Sequence, residues 1–75
     1  MYKKLGTERD RLTKQEKVIL QHLVYGLENK EIGARLGITA HTVKTHVSRI
    51  IRKFCAKNRV HVAFIAGAGG LVQIK

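Results

Sequence analysis

Not one proline interrupts this 75-residue chain, and it holds no tryptophan and a single cysteine, Cys55. Without proline, nothing removes a backbone donor from the interior of a helix. One cysteine excludes an internal disulfide and fits a reducing cytoplasm. Long apolar runs are missing too. The most apolar stretch, Val60–Val72, is shorter than the roughly 20 residues a bilayer span needs and contains Gly67, Gly69 and Gly70. Met1–Thr13 has no apolar core, so no signal peptide is read there. Acidic residues are few. All five lie between Glu8 and Glu31, and none follows up to Lys75. No nucleophile, base and acid set is visible, so an enzyme is not expected. The four histidines form no metal-ligand spacing. His41 and His46 are five apart and diverge by about 140° on a helix. No cofactor or metal is called for, and Cys55 is expected to be a semi-buried, inert thiol.

What is present is positive charge in one place. The formal charge of +10 divides unevenly, with eight basic and no acidic residues after Glu31, against seven basic and five acidic up to it. Such a block is an electrostatic footprint for phosphates. Within it Gly33, Gly37 and Val43 stand at spacings of four and six, those of a helix-turn-helix. A small residue at 33 lets two helices approach closely, and Gly37 can take positive φ at the turn. Val43 with Ile32, Leu36 and Ile38 supplies the contacts that lock the pair. The second helix of such a unit enters a DNA groove.

The apolar share of 44% suits one small folded domain. Four helices are read along it. Thr13 and Glu16 form a capping box, with Leu12 as a staple before it. The first helix runs from Lys14 to about Tyr25, with Val18, Ile19, Leu20, Leu23 and Leu27 as its apolar stripe and Gly26 as its stop. The second ends at Leu36. Glu28 is a poor cap for it, so Asn29 is expected to cap. Thr39 caps a third helix running from Ala40 to about Cys55. Val43, Val47, Ile50, Ile51 and Phe54 share one arc of it, while His41, Lys44, Thr45, Ser48 and Arg52 lie opposite, flanked by Arg49 and Lys53. Asn58 caps a fourth helix that is apolar nearly all round. Its face of Val60, Ala63, Phe64 and Gly67 exceeds what a small core can cover, so a symmetric partner is expected there. Residues 1–11, with Lys3, Lys4, Arg9 and Arg11, read as a flexible basic arm, and 12–75 as the helix-turn-helix domain.

From Leu12 to Val72, about four-fifths of the chain, the residues resemble the LuxR/GerE-type helix-turn-helix domain of bacterial regulators. The matching pieces are LT..E..IL at 12–20, G.ENKEIG at 26–33, LGIT..TVKTHV at 36–47, I..K at 50–53, NR at 58–59 and GLV at 70–72. The resemblance implies an all-α four-helix fold whose third helix reads the major groove. It implies dimerisation through the fourth helix on an operator of two half-sites. It places Lys44, Thr45 and Ser48 at base edges, and Lys30, Thr39 and Thr42 at the DNA backbone. Arg49, Arg52 and Lys53 are expected as further phosphate ligands. Double-stranded DNA and a second copy of the chain are the expected partners, RNA polymerase is a further candidate, and no membrane is involved.

Five positions depart from the family pattern. Gln15 replaces an Arg, Glu28 a Ser, Cys55-Ala56 a Gly-Val pair that closes the third helix, and Val62 an Ala. Larger members carry an upstream receiver or sensing domain. The present sequence reads as a stand-alone cytoplasmic regulator or as the DNA-binding part of a longer protein. One rival reading stays open, a small interaction protein that pairs through the fourth helix with a larger regulator and inhibits it. A basic amphipathic membrane peptide is disfavoured by the caps, the turn glycines and the core.

Overall fold

The computed structural model describes residues 12–68. Those residues form four helices, α1 (Lys14–Val24), α2 (Asn29–Leu36), α3 (Ala40–Lys53) and α4 (Arg59–Ala68), and no strand. The expected basic arm at 1–11 and the GLV match at 70–72 lie outside them.

Local chemistry sets the helix starts. The Thr13 hydroxyl accepts from the Glu16 amide at 3.1 Å, and the Glu16 carboxylate accepts from the Thr13 amide at 3.0 Å, completing the capping box. Thr39 accepts from the Thr42 amide at 3.0 Å, and Asn58 Oδ1 accepts from the His61 amide at 2.8 Å. The start of α2 differs from expectation. Glu28 is the N-cap, and the Glu31 carboxylate accepts from its amide at 2.8 Å. Asn29 is already helical, and its side chain serves a different partner, described below.

Three helices stop by one device. After α1, the Gly26 amide donates to Leu23 and the Leu27 amide to His22, with Gly26 at φ 86. After α2, Gly37 at φ 74 is followed by an Ile38 amide donating to Gly33. After α3, the Cys55 amide donates to Arg52 and the Ala56 amide to Ile51. The first and third are Schellman closures, and the second, where the Gly37 amide also donates to Gly33, is the related αL closure; each needs one residue in the left-handed region. The third puts Cys55 there, at φ 53, where the first two use glycine. Accordingly α3 ends at Lys53 with Phe54 as its C-cap, short of the expected Cys55. Cys55 is exposed and not semi-buried, because the left-handed residue sits outside the helix end.

The core comprises Leu12, Ile19, Leu20, Leu23, Ile32, Val43, Val47, Ile50, Phe54, Val62 and Ala66. α2 packs on α3, and α1 packs on both α3 and α4. The buried stripe of α1 is Glu16, Ile19, Leu20 and Leu23, which is the i, i+3, i+4, i+7 pattern. Val18, expected in that stripe, falls outside its arc and is exposed. Gly33 has no room for a side chain. A Cβ there would stand 2.6 Å from the Ile38 carbonyl oxygen and 3.3 Å from the Ala40 nitrogen, so α2 rests directly on the turn that launches α3.

Candidate nucleic-acid interface

α3 divides lengthwise. Val43, Val47 and Ile50 are buried, and Ile51 is half-buried. His41, Lys44, Thr45, Ser48, Arg49 and Arg52 are exposed, as are Thr39 before the helix and Lys30 on α2. Thr42 is half-buried. Most of the side chains expected to meet DNA therefore lie on the solvent side of the helix-turn-helix. No carboxylate occurs on α3 or α4.

Hydroxyl bonding shows what each side chain can still offer. The Thr39 hydroxyl donates to Thr42 Oγ1 at 2.9 Å while accepting from the Thr42 amide. Thr42 thus accepts, and its own hydroxyl hydrogen remains for a further acceptor such as a phosphate oxygen. The Thr45 hydroxyl donates to the His41 carbonyl at 3.3 Å, which leaves an acceptor and a methyl group. The start of α3 adds the unpaired amides and positive dipole end that favour an anion.

Two cations of the basic block are taken up inside the domain. Lys53 Nζ donates to Glu16 Oε1 at 2.7 Å, tying the end of α3 to the first turn of α1. Expected as a phosphate ligand, Lys53 instead neutralises a carboxylate that is only 2% exposed, so we leave it out of the set assigned to DNA. Burial alone would raise the Glu16 pKa. The Lys53 hydrogen bond, the Thr13 amide and the positive charges of Lys53 and His46 more than offset it, and the carboxyl is held below its ordinary value. Arg59 is the second. Its Nη1 donates to Asn29 Oδ1 at 2.6 Å and its Nη2 to the Leu27 carbonyl at 2.8 Å. By composition Arg59 is one more cation of the basic block, and the NR match at 58–59 does not by itself mark a separate role. Arg35, Lys44, Arg49, Arg52 and Lys57 remain as exposed cations after Glu31 among the described residues.

His46 lies half-buried on α3, with Nδ1 buried and without a hydrogen-bond partner. Among the described residues no group of three or more His, Cys, Asp or Glu side chains could hold a metal, and no helix is long and apolar enough to cross a membrane.

α4 presents two faces. Val62 and Ala66 are buried, whereas Val60 is 73% and Phe64 is 68% exposed. Ala63 and Gly67 are half-buried between them. Beside this face an open groove of about 450 Å³ runs along Leu23, Val24, Leu27, Val60 and Ala63. An apolar face on one side and a basic, acid-free face on another can serve two different contacts at once.

A family model described as bacterial regulatory proteins, luxR family, matches residues 10–66. Among individual proteins, the nitrate/nitrite response regulator protein NarL of Escherichia coli strain K12 is 48% identical over 59 residues, covering 76% of this chain and 27% of NarL. The uncharacterized transcriptional regulatory protein YxjL of Bacillus subtilis is 43% identical over 61 residues, 81% of this chain and 28% of YxjL. The transcriptional regulatory protein LnrK of the same organism is 50% identical over 52 residues, 69% of this chain and 24% of LnrK. The chain thus spans about a quarter of the length of these relatives.

Proposed function

The chain belongs to the luxR family of bacterial regulatory proteins, and from that premise we propose that it regulates transcription by reading double-stranded DNA with α3, as a dimer on two half-sites. The observation that carries this reading is the outward face of α3, where Lys44, Thr45, Ser48, Arg49 and Arg52 are exposed on an acid-free helix backed by a dry core. In this reading Lys44 reaches guanine O6 or N7, and Thr45 and Ser48 meet neighbouring base edges. Lys30, Thr39, Thr42, Arg49 and Arg52 hold phosphates and fix the register. Val60, Ala63, Phe64 and Gly67 meet their counterparts in a second copy, which sets two α3 helices about 34 Å apart, one turn of DNA. RNA polymerase is a further proposed partner, and the cytoplasm the proposed compartment.

Selection of binding sites from random duplex DNA tests this directly. The expected result is a motif of two related half-sites. Repeating the selection with Lys44→Ala should lose preference at one base pair per half-site, at a cost of about 1–3 kcal/mol. A selection that enriches no sequence would defeat the proposal.

The exposure of Val60 and Phe64 also favours the second reading, an inhibitor that pairs through α4 with a larger regulator. That role needs no base readout. Sequence-specific DNA affinity of the purified protein alone would decide against it.

A further inference from the structure

We propose that Arg59 is a positioning residue of the DNA-binding unit. Its guanidinium pins the first turn of α4 to the turn between α1 and α2, and so fixes the angle at which α4 carries its apolar face relative to the reading helix. Its guanidinium is engaged within the domain. Two separate nitrogens are committed to two separate acceptors, Asn29 Oδ1 at 2.6 Å and the Leu27 carbonyl at 2.8 Å. Charge-assisted forks of this kind are short, directional and specific to arginine.

The acceptors explain the consequence. Asn29 opens α2 and directly precedes Lys30. Leu27 follows Gly26 in the closure of α1. The clamp therefore spans from α4 to the start of α2, next to Lys30, which the reading above assigns to a phosphate. Two other directional bonds at the start of α4, from the His61 amide to Asn58 Oδ1 and from the Lys57 amide to His61 Nδ1, tie it only to its own linker, and its holds on the other helices are less directional. Val62 and Ala66 are buried, and apolar contact resists separation more than rotation. The covalent link from α3 runs through Cys55, which occupies the left-handed region without being glycine. Arg59 is the first residue of α4, so it acts where the helix pivots.

The inference rests on the dimeric reading above, and geometry gives its scale. Two reading helices about 34 Å apart each sit about 17 Å from the two-fold axis. A rotation of about 10° in α4 would displace each by about 3 Å, close to the rise of one base pair. A loosened clamp should therefore leave the grip on one half-site intact and blur the required spacing between two.

The test compares parent, Arg59→Ala, Arg59→Lys and Asn29→Ala on three kinds of duplex. These are a single half-site, two half-sites at the selected spacing, and two half-sites one base pair closer or farther. All four proteins should bind the single half-site within about twofold of one another. Arg59→Ala should lose about tenfold on the selected spacing and discriminate poorly between spacings. Asn29→Ala should fall between it and the parent. Arg59→Lys should recover only part, since an ammonium cannot fork. Asn29→Ala added to Arg59→Ala should cost nothing more, because Arg59→Ala has already removed the contact that Asn29 makes. An equal loss on single and paired half-sites would overturn the proposal and make Arg59 a phosphate ligand. So would unchanged spacing discrimination in Asn29→Ala, a substitution at a half-buried side chain outside the hydrophobic core. A parent that binds two half-sites no more tightly than one would instead remove the dimeric reading itself.

Discussion

Replacing Cys55 with glycine should stabilise the domain, and the size of the effect can be worked from the backbone. Cys55 holds φ 53 in the Schellman closure of α3. A residue with a Cβ costs about 1–2 kcal/mol in the left-handed region. Glycine escapes that cost but gives up about 0.5–1 kcal/mol of backbone entropy on folding. The difference leaves Cys55→Gly more stable by about 0.5–1 kcal/mol, or about 2–8 °C in Tm for a domain this small. Gly37→Ala is the mirror experiment. Gly37 sits at φ 74 with nothing within 4 Å of an added Cβ, so only the backbone term operates there. It should lose about what Cys55→Gly gains. Urea unfolding monitored by circular dichroism at 222 nm reads both. Cys55→Ala is the control, since it removes the thiol and keeps the Cβ, and it should change little. If Cys55→Ala stabilises as much as Cys55→Gly, the thiol and not the dihedral carries the cost, and the reasoning fails.

Three further outcomes follow from the packing and the charges. Gly33→Ala should destabilise by about 1–3 kcal/mol in spite of alanine's better helix propensity, because the added Cβ meets the Ile38 carbonyl oxygen at 2.6 Å; an unchanged melting curve would mean the turn yields freely. The lowered Glu16 pKa contributes stability that is present above the ordinary value of 4.5 and is lost as pH falls through the native value. The stability gap between parent and Glu16→Gln should therefore narrow from about pH 4.5 downward, and a gap that widens in acid would contradict the Lys53 pairing. Arg49→Ala should lower the slope of log affinity against log salt by about 1, whereas Lys53→Met should leave the slope alone and cost about 1–2 kcal/mol of folding stability. A slope lowered by Lys53→Met would return that residue to the phosphate set.

The parts of this fold that were legible in the sequence are those decided within a few residues. Thr13 and Glu16 bond each other three positions apart, and Gly26 and Gly37 close helices at single positions. The dry and wet faces of α3 follow from its period alone. The inward-turned cations were not legible in that way. Lys53 finds Glu16 across 37 residues and Arg59 finds Asn29 across 30, and no local pattern separates such a residue from one that faces solvent. Glu16 hid its second role behind its first, since a capping carboxylate is normally exposed. Val18 was misjudged for a simpler reason, since at 100° per residue it lies well off the arc of Ile19, Leu20 and Leu23. Cys55 lay between these cases. The missing glycine marked the position, but only the backbone showed that the closure forms without it.

Intermolecular nuclear Overhauser effects between the labelled protein and a selected duplex test the central claim most directly. The account predicts contacts from Lys44, Thr45 and Ser48 to major-groove base protons and from Lys30, Thr39, Thr42 and Arg49 to sugar protons beside the held phosphates, with none from Val60 or Phe64. Contacts centred on α4, with α3 unperturbed by DNA, would contradict it.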